Sequence, residues 1–387
     1  MKTEYTNTAH MRVCARIRLD AMRKNIRSMQ SNLREGTQMC LVIKTEAYGH
    51  GAARTAEAFE DMKGIWGFAV ATAQEALSLR KTGIKKPILI LGYVFPEDYP
   101  ELIREEIRMA VFDVETASAL SEEAFRQDNK AFIHLAMDTG MSRIGVSDTE
   151  EGAVTAFQIA AQPHVEIEGV FTHFARADEA DQNNALEAAG RFKAFLETLR
   201  QKGIAPKICH CSNSACILEL PELEMDMVRA GITLYGIYPS DEMDRERNIL
   251  FPAMELISHV SYVKKVPVGT CISYGGTYQT EKETVVATIP VGYGDGYPRS
   301  LSSRGYVLID GHRCPILGRV CMDQFMVDVT GLNVKRGDEA VLMGRSGDSF
   351  LGVDELSGMS GRFPYEFVCD IGARVPRVYV DESDVFS

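Results

Sequence analysis

Long hydrophobic runs are missing from this chain: no stretch stays apolar for the roughly 18 or more residues that a membrane span needs. The N-terminus, MKTEYTNTAHMRVCARIRLD, carries charges with no apolar core behind them, which predicts neither a secretory signal nor an anchor. Positive charge is in deficit. With 42 Lys and Arg against 54 Asp and Glu, the net charge is -12 and the pI near 5.3, whereas a nucleic-acid partner needs a basic surface. A disulfide framework is lacking too, because the nine cysteines are an odd set without framework spacing, as a reducing compartment favours. No repeat at a solenoid period and no low-complexity tract appears. Together these absences predict a cytoplasmic protein that binds neither membrane nor nucleic acid.

What is present is an ordinary globular composition, 45% hydrophobic and 25% charged, over 387 residues, enough for one large domain plus a smaller one. Short apolar runs recur at 39–43, 67–70, 87–91, 109–112, 131–136, 165–171, 207–211 and near 226–230. Between them, segments such as 73–81, 115–126 and 181–202 place apolar residues at i, i+3 and i+4, the spacing of a helix with one face for a sheet. Eight strand–helix units predict an α/β fold, a (β/α)8 TIM barrel. A doubly wound open sheet is the alternative, but it would not require eight. After Tyr238-Pro-Ser-Asp the sequence turns charged through 241–248, and beyond it β-branched or alternating runs at 260–263, 285–289, 306–309 and 374–380 are broken often by Gly or Pro. The expected division is a barrel over 1–246 and a mostly β domain over 247–387.

In such a barrel the residues just after each strand line the C-terminal mouth, where catalysis occurs. That rule gathers Lys44 after the first strand, Met137, Asp138, Thr139 and Arg143 after the fifth, Thr172 and His173 after the sixth, Asn213 and Ser214 after the seventh, and Arg229 to Ile232 at the eighth. Alone, Lys44 reads as a snorkelling surface lysine. Among the other rim residues it reads as an amine that forms a Schiff base, since partial desolvation and nearby cations favour its reactive neutral form. Ser212-Asn213-Ser214 is a helix N-cap cluster, and Gly231 in Arg229-Ala-Gly-Ile lets backbone come close, the character of a phosphate site after strands seven and eight. A lysine plus a phosphate cradle in a barrel suggests pyridoxal phosphate. No metal is expected at Cys209-His210-Cys211, because alternation along a strand turns His210 away from both thiols.

The motifs VIKTEAYGHG, MDTGMSRIG, FTHFARAD, CSNSA, VRAGITLYGIYPS, ISYGGTY, VGYGDGYPR, GRVCMDQ and YEFVCDIGARVPR run in order from about Leu19 to Val380, and jointly they resemble the alanine racemase family. The resemblance implies a fold-type III pyridoxal-phosphate enzyme, a barrel followed by a β domain that supplies the second base. It further implies a homodimer with shared active sites that interconverts L- and D-alanine and so supplies D-alanine for peptidoglycan. Lys44 would hold the cofactor and move the α-proton on one face, with Tyr274 as base and acid on the other; Tyr274 and Met322, the latter meeting the substrate carboxylate, would come from the partner subunit. Racemisation needs both, because one side chain does not easily reach both faces. His173 and Arg229 would lower the Tyr274 pKa, and Arg229 would face the pyridine nitrogen. A guanidinium does not surrender a proton, so that nitrogen would stay unprotonated. The resemblance assigns cofactor contacts to Tyr48, His173, Asn213, Ser214, Gly231, Ile232 and Tyr365, substrate contact to Arg143, and the entryway to Tyr293. By themselves Tyr48, Tyr274 and Tyr293 read as loop and turn aromatics. Two positions depart from the family pattern: Ala136 stands where many members carry a lysine, often carbamylated, that fixes the arginine matching Arg143, and Glu46 stands where many have Asp or Asn, a difference expected to be minor. A serine racemase or a broad-specificity amino-acid racemase of the same fold is the alternative.

Overall fold

The structure, a computed structural model, describes residues 11–381. They form two compact units: Arg23–Ala47 with Ala52–Phe251, and the described residues up to Met22 with Tyr48–Gly51 and those from Pro252 onward.

The described residues open on β1 (Val13–Arg18), which belongs to the second unit. The first unit contains β2 (Gln38–Val42), β3 (Ile65–Val70), β4 (Ile88–Ile90), β5 (Arg108–Val111), β6 (Ala131–Ala136), β7 (Val165–Phe171), β8 (Ile208–His210) and β9 (Met227–Ala230). These pair in parallel in the order β8-β7-β6-β5-β4-β3-β2-β9, so all eight strands expected from the apolar runs are present and the sheet curls into a barrel. Across the β8–β9 seam the Asp226 N–H donates to the Cys209 carbonyl at 3.1 Å and the Arg229 N–H to the Ser212 carbonyl at 3.0 Å. Most positions of these strands are buried, as aliphatic strands covered on both faces require, whereas β7 (VEIEGVF) is half-buried over its first four residues.

Helices between the strands start where the sequence supplies caps. Thr72 and Glu75 form a capping box ahead of Ala73–Lys81, Asp113 caps Val114–Arg126, and Thr149 caps Glu150–Ala160. In Val114–Arg126 the buried residues are Thr116, Ala117, Leu120, Ser121 and Ala124, one helical face laid on the sheet. Burying a side chain such as Leu120 contributes about 1.5–3 kcal/mol.

The second unit carries one large, mostly antiparallel sheet in the order β11-β14-β17-β16-β15-β18-β10-β1-β20. Its strands are β10 (Met254–His259), β11 (Tyr262–Val266), β14 (Thr284–Ile289), β15 (Tyr306–Ile309), β16 (His312–Leu317), β17 (Phe325–Asp328), β18 (Glu339–Ser346) and β20 (Arg377–Val380), with a separate ribbon of β12 (Cys271–Ile272) and β13 (Tyr278–Gln279), and β19 (Ser349–Leu351) beside β18. The apolar runs placed no strand before residue 39, yet β1 pairs antiparallel with β10 and parallel with β20. Its signal, VCARIR, has apolar Val13, Ala15 and Ile17 alternating with Arg16 and Arg18, the pattern of a half-buried strand. All nine cysteines are free thiols, and among the described residues no helix is long and apolar enough to cross a membrane.

Candidate active site

Lys44 follows β2 directly, and the backbone after it is unusual. Thr45, Glu46, Ala47 and Tyr48 have φ of 54°, 53°, 53° and 52°, a left-handed turn built from four consecutive residues that each carry a Cβ. Such a conformation costs roughly 1–2 kcal/mol per residue, so the surroundings must hold it. The Thr45 N–H donates to Oε1 of Glu75 at 2.5 Å, while Oε2 of the same carboxylate accepts from the Ala71 N–H at 2.8 Å. The Ala47 N–H donates to the Ile43 carbonyl at 2.9 Å, and Oε2 of Glu46 accepts from the Ala52 N–H at 3.1 Å, at the start of the helix Ala52–Phe59. Glu46 therefore joins the lysine loop to the helix that follows it. Glu75 was not singled out from sequence; Thr72-x-x-Glu75 shows as a capping box, but its second bond, to the lysine loop, has no local signal.

On the neighbouring strand β9, which pairs in parallel with β2 and sets Arg229 beside Cys40, Arg229 is 3% exposed and held on nearly every side. Its Nη1 lies 2.8 Å from Nδ1 of His210 and 3.2 Å from the His210 carbonyl; Nη2 donates to the carbonyls of Thr172 at 2.8 Å and Cys211 at 3.1 Å, and lies 3.3 Å from Nδ1 of His173. The Phe171 ring lies 5.6 Å beneath the guanidinium. Arginine only donates, so both imidazoles accept through Nδ1 and each is left with its proton on Nε2. Nε–H of Arg229 is the one donor of the group with no protein acceptor among the described residues. Burial, then the charges of Arg229, Arg143 and Lys44, push the His173 pKa down to about 3, so His173 is neutral at physiological pH. Lys44, Arg143 and His173 follow the C-terminal ends of β2, β6 and β7, and Arg229 lies near that end of β9, so all four belong to one mouth of the barrel.

The two adjacent loops expected to form a phosphate site, after β8 and after β9, are joined to each other. Oδ1 of Asn213 accepts the Cys216 N–H at 3.2 Å and caps Ser214–Glu219, whose first N–H groups, on Ser214 and Ala215, have no intrahelical acceptor. Oγ of Ser214 accepts from the Gly231 N–H at 3.0 Å and the Thr233 hydroxyl at 3.0 Å, fastening the β8 loop to the turn Ile232–Tyr235. A hydroxyl and helix-start N–H groups at one end, with a cationic N–H donor at Arg229, suit a ligand carrying an anionic phosphate and a ring nitrogen. Among the described residues no cluster of His, Cys, Asp and Glu could hold a metal ion, and the Cys211 thiol donates instead to the Leu223 carbonyl at 3.1 Å.

Arg143 is exposed and makes no hydrogen bond or ion pair with another described residue. Ala136, 1% exposed, packs with Ala110 and Phe171, and Ile144 covers that cluster. Apolar packing thus occupies the position where the family resemblance led to a lysine. The loop bearing Arg143 is shaped instead by Asp138, whose Oδ1 accepts the N–H groups of Gly140 at 2.8 Å and Ser142 at 3.0 Å.

The remaining candidates lie in the second unit. Tyr48 and Tyr365 are ring neighbours at 6.1 Å, and Tyr365 stacks on Phe363 at 4.5 Å. Tyr274, Tyr293 and Met322 are all exposed, at 71%, 43% and 53%. Their loops are bound together: the Tyr293 N–H donates to the Cys321 carbonyl at 3.0 Å, the Gly294 N–H to the Met322 carbonyl at 2.9 Å, and the Ser273 hydroxyl to the Arg319 carbonyl at 2.7 Å.

Family models for the alanine racemase N-terminal domain and C-terminal domain match residues 17–239 and 253–379. The chain belongs to the alanine racemase family. It is 45% identical over 370 residues to an alanine racemase of Desulfovibrio desulfuricans, covering 95% of this chain and 98% of that one. The alanine racemase of Clostridium difficile 630 superposes with a TM-score of 0.92 at 39% identity, covering 96% of each chain. A histidine racemase from Leuconostoc mesenteroides subsp. sake gives a TM-score of 0.88 at 27% identity, over 97% of this chain and all 100% of that one. Barrel and β-domain architecture, and membership of this isomerase family, are thus as the sequence motifs led one to expect.

Proposed function

We propose that the protein interconverts L- and D-alanine with pyridoxal phosphate, by proton transfer on opposite faces of the substrate. The observation that carries this is the fixed, buried Arg229, whose only unclaimed donor among the described residues is Nε–H, on the strand that pairs with the one leading to Lys44. Bound there, pyridoxal phosphate would acidify the α-proton of an amino acid.

Each residue then has a task. Lys44 holds the cofactor and moves the proton on one face; its left-handed loop fixes where the amine stands. Tyr274 delivers or removes the proton on the other face, and its exposure suits a group offered to a second copy of the chain in a homodimer. Arg229 binds the ring nitrogen without protonating it, since a guanidinium keeps its proton, and this favours return of the proton over side reactions. His173, neutral, keeps Nε2–H available beside Arg229. Ser214, Gly231, Ile232, Asn213, Tyr48 and Tyr365 bind the phosphate end; Arg143 and Met322 bind the substrate carboxylate, and Tyr293 lines the entry. The region 1–246 would bind the cofactor and 247–387 supply the second base. In a cytoplasmic setting the D-alanine formed would serve peptidoglycan synthesis.

Purified protein with bound cofactor should absorb in the visible and convert D-alanine to L-alanine. A cofactor-loaded protein that converts none overturns the proposal. A broader substrate range, serine included, is the second reading; the likeness of the fold to that of a histidine racemase supports including larger side chains in the test. A pocket built for a methyl group rejects an added hydroxyl only weakly. Relative kcat/KM on alanine, serine and histidine decides between them.

A further inference from the structure

Below the mouth, the interior of the barrel holds a line of polar groups, buried at His210 and His134 and half-buried at Glu168 and Arg108, that the proposed proton transfers do not use. From Arg229 it passes to His210, whose Nε2 lies 2.8 Å from Nδ1 of His134, and on to Glu168, whose Oε2 lies 3.3 Å from Nε2 of His134. Arg108 closes the line, with Nε and Nη2 donating to the two Glu168 oxygens at 2.9 Å and 3.1 Å. His134 and His210 are both fully buried, and Phe171 stacks on His210 at 5.1 Å while Trp66 lies 5.6 Å from His134. Space for the two imidazoles to meet comes from Gly169 on β7, where a Cβ would stand 2.6 Å from Nδ1 of His134.

One chemical rule orders every proton in this line. Arg229 only donates, so Nδ1 of His210 must accept and Nε2 of His210 must carry the hydrogen. That hydrogen makes Nδ1 of His134 an acceptor, which puts the His134 hydrogen on Nε2, directed at the Glu168 carboxylate. From Arg229 to Glu168 each bond thus donates away from the mouth, and the carboxylate, which can only accept, also takes the two N–H groups of Arg108 from the far side. Reversing any single bond would set two hydrogens or two lone pairs against each other in a dry interior.

We propose that Glu168 and His134 are positioning residues: acting through His210, they fix the orientation of the Arg229 guanidinium and so hold its Nε–H ready at the mouth. This rests on the proposed racemisation, in which Arg229 meets the cofactor ring. Neither residue touches substrate or cofactor; their effect is to remove every alternative arrangement of the donor that does.

The test uses the cofactor-loaded protein with 15N-labelled histidine, compared with Glu168→Gln and His134→Asn. Glu168→Gln keeps one acceptor oxygen but removes the charge and the second acceptor oxygen on which His134 and Arg108 converge; the shorter amide of His134→Asn can still accept from His210 but does not reach Glu168. In the wild type, His134 and His210 should both give neutral, Nε2-protonated spectra at neutral pH. Both variants should lower kcat about tenfold with KM changed less than about threefold, the pattern of a lost positioning effect, and shift the visible band of the bound cofactor. A wild-type His134 or His210 protonated on Nδ1 overturns the proposal. So do folded, cofactor-loaded variants with wild-type kcat and spectrum. Should Glu168→Gln fail to fold, His134→Asn and the wild-type spectra decide. A wild type that shows the expected tautomers yet racemises no alanine would overturn the proposed activity and leave the proton order standing.

Discussion

The N–H of Thr45 points at the Glu75 carboxylate, 2.5 Å away, one residue beyond Lys44. The same carboxylate takes the N–H groups of Ala71 and Thr72, so a helix cap also anchors the strained turn that carries the lysine.

Glu75→Ala should therefore do more than weaken a cap. It removes the acceptor for Thr45 and should cost about 1–2 kcal/mol of stability. Its larger effect should fall on the lysine: cofactor affinity and kcat drop together, measured by titrating the visible absorption and by steady-state racemisation. Glu75→Gln, which keeps one acceptor oxygen, should lose less.

Acid should destabilise the fold through its buried histidines. Burial first, then neighbouring positive charge at Arg229, lowers the pKa of His173 to about 3 and of His210 well below the ordinary 6.5. The folded state therefore refuses protons that the unfolded chain accepts, so the stability is fully present above pH 6.5 and is lost as pH falls from there toward 3. The slope should approach about 1.4 kcal/mol per pH unit for each such histidine. Glu168 acts lower down: burial alone would raise its pKa, but hydrogen bonds from His134 and Arg108 outweigh it and bring it to about 2 from 4.5, a contribution lost only below pH 4.5. Urea midpoints at pH 8, 6 and 5 should fall progressively; equal midpoints would contradict the neutral, buried histidines.

Gly292→Ala should disturb the loop that presents Met322. Its backbone is extended, so conformation is not the obstacle; space is, because a Cβ would stand 2.2 Å from the Cys321 carbonyl oxygen and 2.4 Å from that of Met322. Overpacking of this kind costs about 1–3 kcal/mol. If Met322 binds the substrate carboxylate as proposed, KM for alanine should rise more than kcat falls. A variant destabilised without a change in KM would separate the loop from substrate binding.

The barrel was legible in the sequence because parallel strands buried on both faces read as aliphatic runs, and eight of them recur between helical segments. β1 was not, because VCARIR mixes arginine into its pattern and its partners β10 and β20 lie more than two hundred residues away. Rim residues such as His173 and Arg229 could be placed from strand ends alone. Glu75, His134 and Glu168 could not: each looks like a cap or an interior strand residue until the fold brings Thr45, His210 and Arg108 beside it. His210 illustrates the same limit, since alternation correctly turned it from the thiols but did not reveal that it faces Arg229.

The most direct test of two-face proton transfer is the hydrogen at Cα of newly formed product. Cofactor-loaded protein is given unlabelled L-alanine in D2O, and D-alanine is analysed by mass at low conversion. With Lys44 on one face and Tyr274 on the other, the D-alanine formed first should carry solvent deuterium in nearly every molecule, and Tyr274→Phe should stop its formation. Early D-alanine that retains the substrate's own hydrogen, or undiminished turnover by Tyr274→Phe, would mean that a single group serves both faces.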